Sequence, residues 1–418
     1  MKNKNNLVLV FLLFISVFGI GRLLDTGRMM IPEFSVPYFS GAQMLHNGEG
    51  WKFNLNEVDS LHVFLALADK KASVNKINTY RFSSEDINTR SYSINQPGYM
   101  YISWFAGKIF PWTGHIGALK LLQLSVHSVI SLLILFLLNS KRHKILFFLL
   151  YAVNPFIIYY VVYAFYYFWE VVPSAIFLFF YLSNKKASFS QLIILSLGLA
   201  LLFHVRSSVL LISLITLFFA SGHLTRLKKL VPFIIYLLLI LLFRPEQKHK
   251  DPGHIMYTSL GAYPNSYVKH FSDTVSWNAF RKAKGIDYSY SSNPGMYDAD
   301  VFFAESEWCL SEYKTIAQKD PVMIGRNAMI NFFQSFSIGY FRSSLGLSYL
   351  SAFFGLILFS LMIHHRKFKL LVAITAAGIT FSLYLAPLPI YLFGSYILIL
   401  IAVLELIDKI FPVKESKT

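Results

Sequence analysis

Ionisable side chains stand at the edges of apolar runs in this chain, and that placement makes them the first candidates for chemistry. Asp25 and Glu33 follow the opening apolar run, Glu170, His204 and Arg206 border central ones, and Asp273 lies in a later polar stretch. A carboxylate held at a membrane surface can take the proton of an attacking hydroxyl. Glu33 is the first choice for such a base and Asp25 its rival. The plain alternatives are a solvated loop glutamate for Glu33 and, for Asp25, an interfacial ion pair with Arg22 and Arg28, worth little when exposed. An arginine bounded by apolar helices is costly unless it meets an anion or snorkels to the interface, so Arg206 requires one or the other. His204 can serve as a second donor, face lipid headgroups or cap a helix. Glu170, beside Tyr166, Tyr167 and Trp169, is expected to pair with an arginine or histidine, because an isolated buried carboxylate is expensive.

The elements that position these groups are expected to be membrane helices. Of the 418 residues 55% are hydrophobic and 14% charged, far below the roughly 25% charged content of a soluble domain. A helix needs about twenty apolar residues to cross a hydrocarbon core. That length predicts spans near 7–24, 116–139, 145–163, 166–183, 189–204, 206–221, 229–243, 344–363, 370–386 and 388–408, about ten in all. The first is expected to be an uncleaved anchor, since no small-x-small cleavage site follows it.

Charge fixes the orientation. Lys2 and Lys4, then Lys141, Arg142 and Lys144, Lys185 and Lys186, Arg226 with Lys228 and Lys229, and Arg366, Lys367 and Lys369 alternate with the apolar runs. All fall on one side, which places both termini in the cytoplasm. The acids gather in two polar segments that would face outward. The expected organisation is therefore a first helix over 1–24, an outer loop over 25–115, central helices over 116–243, a second outer loop over 244–343, C-terminal helices over 344–408 and a cytoplasmic tail over 409–418. In the first loop, residues 58–67 suit a surface helix, and residues 98–112 are too short to span and suit an interfacial or re-entrant one. The second loop is expected to turn helical over 301–317 and 321–336, with Pro321 as a first-turn proline after Asp320.

The net charge of +16 is dispersed in short clusters, so it speaks for topology and lipid headgroups and not for nucleic acid. The single cysteine, Cys309, excludes an intramolecular disulfide framework. No Gly-rich phosphate loop, paired-cysteine metal site or nucleophile elbow occurs. His364 and His365 sit in an inner basic cluster and suggest no metal. A divalent metal held by the outer acids is conceivable, but no spacing supports it, and no cofactor is expected.

Four stretches together resemble a known family. They are Pro32-Glu33-Phe34-Ser35-Val36-Pro37-Tyr38 running to Leu45 and Gly48; Asn95-Gln96-Pro97-Gly98-Tyr99-Met100-Tyr101; Asn154-Pro155-Phe156 followed by Glu170; and Leu197-Gly198-Leu199-Ala200 running into His204-Val205-Arg206. In order and topological place they are similar to the polyprenyl-phosphate-dependent glycosyltransferases of the GT-C fold, in particular the bacterial protein-mannosyltransferase-like and aminoarabinose-transferase-like enzymes. The family's acid is usually an aspartate closer to the tyrosine, whereas Glu33 lies five residues before Tyr38, so the choice between Glu33 and Asp25 stays open.

The resemblance implies an all-α, GT-C-like bundle in a bacterial plasma membrane that moves a sugar from a polyprenyl phosphate to a glycan, lipid or protein acceptor on the outer face. Inversion would occur in one displacement, with a carboxylate base and cations offsetting the leaving phosphate. It assigns Glu33 or Asp25 to catalysis and Arg206, His204, Tyr38, Gln96, Tyr99, Glu170 and Asp273 to the substrates. Ordinary loop solvation explains Asp273 equally well, and Tyr99 and Tyr101 serve first as interfacial anchors. Two rivals are an O-antigen polymerase or ligase, which would favour paired arginines in the later loop, and a transporter or flippase, which would favour repeated halves. Neither mark is present.

Overall fold

The computed structural model describes residues 2–25, 42, 45–46, 97–242, 252–285 and 299–411. Among them every regular element is helical. The chain divides into two compact units, Met1–Arg244 and Pro245–Thr418.

In the first unit α1 spans Lys2–Asp25, α2 Pro97–Ile109, α3 Gly114–Leu137 and α4 Lys141–Phe147, followed by a wide π turn over Phe148–Ala152 and by α5 over Pro155–Val162. A 3-10 turn over Tyr166–Glu170 leads into α6, Val171–Ser183, and then come α7, Phe189–Val205, α8, Leu210–Ala220, and α9, Arg226–Leu242. The second unit holds α10, Pro252–Leu260, α11, Asp273–Lys284, α12, Ala299–Lys319, and α13, Pro321–Gln334. It ends with α14, Leu345–His364, α15, Phe368–Ser382, and α16, Phe393–Ile410, the last entered through a 3-10 turn over Pro389–Leu392.

Five helical stretches are long and apolar enough to cross a membrane: Leu7–Asp25, Ile116–Leu137, Tyr166–Ser183, Leu345–His364 and Pro389–Ile410. A sixth is reached if the pair Lys141–Ala152 and Pro155–Val162, bent by 46°, counts as one span. This set of helices is consistent with a multi-pass membrane protein. Exposed apolar side chains such as Leu7, Phe11 and Ile15 on α1 and Phe353 and Phe354 on α14 suit lipid contact.

The bend within the expected span 145–163 has a local cause. The Asn154 side chain accepts from the Phe156 N–H at 2.9 Å and starts a new helix, while Pro155, lacking an N–H, occupies its first turn. Phe189–Val205, Ser207–Ala220 and Phe368–Gly378 are apolar but shorter than a full crossing. Residues 98–112 form the short helix α2, and the expected helices 301–317 and 321–336 appear as α12 and α13. At the start of α13, Asp320 accepts from the Met323 N–H at 2.9 Å. The surface helix expected over 58–67 lies outside the described residues.

Cores are apolar in both units. In the first, Leu192 and Leu199 of α7 pack with Leu217 and Ala220 of α8 and Tyr236 of α9. In the second, Tyr257 and Leu260 of α10 pack with Cys309 and Ile316 of α12 and Met323 of α13.

Candidate functional site

The first unit concentrates its buried charge where α7 stops. A reciprocal capping box opens that helix, Ser188 accepting from the Gln191 N–H and Gln191 from the Ser188 N–H. It ends where Arg206 turns extended, at φ −155° and ψ 114°, before a 3-10 turn over Ser207–Val209. That turn sends Arg206 and Ser208 inward. Arg206 Nε donates to Glu170 Oε1 at 3.0 Å, and the Ser208 hydroxyl donates to the same oxygen at 2.6 Å. All three side chains are buried.

Two aromatic rings complete the seat. The Arg206 guanidinium carbon lies 4.2 Å from the ring centre of Tyr167 and 4.9 Å from that of Tyr166. A cation over desolvated ring faces gains about 2 kcal/mol. Both rings come from the 3-10 turn that also carries Glu170, so one short segment supplies the counter-ion and the aromatic floor.

The start of α2 closes on the same place. A Cβ on Gly98 would lie 2.7 Å from the His204 carbonyl carbon and from the Val205 nitrogen, so only glycine lets the two backbones meet there. Tyr99 follows, buried, with its ring edge-on to Tyr166 at 5.8 Å. Residues from 98–99, 166–170 and 204–208 are thereby joined in one cluster. His204 turns elsewhere, its Nε2 lying 3.5 Å from the Leu239 carbonyl oxygen of α9.

Asp25, the last residue of α1, is engaged by the buried Lys120 of α3, which donates to its Oδ1. This is an ion pair across 95 residues of sequence, and Arg28 lies outside the described residues. Burying a lysine without an anion costs several kcal/mol, so the contact also accounts for Asp25 in purely structural terms. Glu33, Tyr38 and Gln96 lie outside the described residues.

The second unit holds a cluster that sequence reasoning reached only through Asp273. His254 on α10 places Nδ1 2.8 and 3.0 Å from the two oxygens of Glu305 on α12, and Nε2 3.3 Å from Asp273 Oδ1 at the start of α11. Burial pushes the Asp273 carboxyl up, but the hydrogen bond and charge of His254, with Arg342, outweigh it and hold the group below its ordinary value. Gly253 sets this geometry, because a Cβ there would fall 1.9 Å from the Ser306 carbonyl oxygen. The only sequence signal was the glycine before a histidine, and nothing marked Glu305 as its partner. Among the described residues no group of three or more His, Cys, Asp and Glu is placed to hold a metal ion.

Compared with protein-family models, with curated proteins and with solved structures, the chain matches none.

Proposed function

We propose that this protein is a membrane-embedded glycosyltransferase of the GT-C kind, moving a sugar from a polyprenyl phosphate to a glycan, lipid or protein acceptor on the outer face of a bacterial plasma membrane. One observation carries this reading. Three separate stretches that resemble the family, around Gly98 and Tyr99, around Glu170 and around His204 to Arg206, converge on one buried charged cluster.

In this reading the shorter apolar helices and α9 also cross the membrane, giving about ten spans with both termini in the cytoplasm. Arg206, seated on Tyr166 and Tyr167 and oriented by Glu170 and Ser208, supplies positive charge near the leaving phosphate. Orientation is what the Glu170 carboxylate adds, since a guanidinium bonded through Nε keeps a fixed plane. The acceptor hydroxyl loses its proton to a carboxylate just beyond α1, Glu33 or Asp25. Of the two, Asp25 has an oxygen already engaged by Lys120, which favours Glu33.

The test is transfer in membranes supplied with radiolabelled polyprenyl-phosphate sugars. Wild-type protein should pass label to envelope glycan, lipid or protein. Glu33→Gln should lower transfer by roughly a hundredfold or more at unchanged protein level, the usual size of a general-base contribution. Equal transfer with and without the protein would remove the reading.

A further inference from the structure

His254 is gripped from two sides within the second unit, and counting protons shows what the grip requires. Ionised carboxylates only accept hydrogen bonds, and a neutral imidazole has a single N–H to give. With Glu305 at Nδ1 and Asp273 at Nε2, both contacts are hydrogen bonds together only when the ring carries both protons. Ser276 agrees with a protonated Nδ1. Its hydroxyl donates to the Asp273 carbonyl at 2.8 Å, which leaves its oxygen to accept from Nδ1 at 3.1 Å.

The two arms of the grip differ in depth. The Glu305 side chain is 0% exposed and also takes a hydrogen bond from the Cys309 thiol at 3.2 Å, whereas Asp273 is 48% exposed. When the ring has one proton left, the bond to Glu305 is kept, because no water can replace it. Asp273 has water at hand and lets go.

We propose that His254 is a pH-sensitive clasp that ties α10, α11 and α12 together, fastened by a doubly protonated ring and released at its Asp273 arm when the ring gives up one proton. Among the described residues, the groups facing it include Glu305 and Cys309 from α12 and Asp273 and Ser276 from α11. Tyr257 lies one turn on along α10 itself. Arg342, in the turn after α13, acts on Asp273. The ring sits in contact with Trp277 of α11 at 5.6 Å between ring centres, so both ends of its grip on α11 lie within the first two turns.

The sign follows from both ends. The clasp stabilises the unit below the pH at which His254 loses its proton, and that contribution disappears as the pH rises. It also disappears at low pH, when Asp273, held below the ordinary carboxylate value, finally takes a proton. Between those limits α11 is fastened at its first residue.

Hydrogen–deuterium exchange on the full chain in lipid nanodiscs tests this. After correction for intrinsic rates, amides at the start of α11 should exchange roughly tenfold faster at an alkaline pH, where the ring has given up one proton, than at a mildly acidic one, the effect of losing one charged hydrogen bond. His254→Gln should abolish that difference. Should that variant fail to fold, Asp273→Ala, which leaves the buried Glu305–His254 pair intact, should exchange fast at both pH values. Equal protection of wild-type α11 at the two pH values would overturn the clasp. So would a pH response that survives in Asp273→Ala.

Discussion

Gly98 meets Val205 backbone to backbone: a Cβ on the first would sit 2.7 Å from the nitrogen of the second. The contact lies where the sequence changes from helix α7 to the extended Arg206, so it presses on the residue that aims the guanidinium. Gly98→Ala should therefore cost about 1–3 kcal/mol through overpacking and should disturb the Arg206 seat. Gly198→Ala, on the same α7 but with nothing within 4 Å of its Cβ, should be neutral or slightly stabilising. Thermal unfolding in detergent separates the two.

Arg206 and Glu170 should behave as a coupled pair. Removing one partner leaves the other charged, buried and unmatched, at a cost of about 3–5 kcal/mol, whereas removing both leaves no orphan charge. Arg206→Met alone should lower the unfolding midpoint strongly, and Arg206→Met with Glu170→Gln should recover much of the loss. Additive losses in that double-mutant cycle would show that the 3.0 Å contact carries little energy.

Lys120 and Asp25 allow a structural role to be told from a chemical one. If Asp25 only neutralises the buried ammonium, Asp25→Asn should destabilise the first unit and Lys120→Met should relieve most of that penalty, restoring both fold and sugar transfer. If Asp25 is the base, the double variant should fold well and still transfer nothing. Unfolding midpoint and transfer measured on the same preparations distinguish the outcomes.

The acid side of stability in the second unit should follow Asp273. Its carboxyl is held below the ordinary value despite burial, by His254 and then by Arg342, so it contributes stability that is present above the unfolded value and lost as pH falls through the folded one. Asp273→Asn should remove that acid limb from a plot of unfolding midpoint against pH. Arg342→Gln should move the limb to higher pH, since it takes away one of the groups holding the proton off.

Topology can be checked directly. Reporters fused after Lys141 and after Asp287 should lie in opposite compartments, the first cytoplasmic and the second outside. Both in one compartment would overturn the orientation drawn from the basic clusters.

Helical character, the long apolar spans and the break at Arg206 were legible from apolar length and from the polar residues that interrupt it. The span 145–163, by contrast, was drawn unbroken, although Asn154 caps a new helix and Pro155 lacks an N–H. Glu170 was expected to find a cation, since a buried carboxylate must. The convergence of Gly98 on Val205 was not legible, because a glycine that permits close approach looks in sequence like any other. His254 with Glu305 was hidden more thoroughly. The two are separated by 51 residues, and each alone suits an ordinary amphipathic helix. The span 370–386 was drawn from hydropathy alone, which counts apolar residues and does not see that the helix stops at Ser382.

The wide turn over Phe148–Ala152 has a consequence of phase. A π turn holds one residue more than the α turn it replaces, so the helix beyond it is rotated by about 100° relative to an unbroken continuation. Ile157, Ile158, Val161 and Val162 of α5 are buried in a helix that restarts at Asn154, so the turn and that break together set the direction in which they point. Deleting a single residue there, Leu150 for example, would shift the point at which Asn154 and Pro155 restart the helix while leaving composition and length almost unchanged.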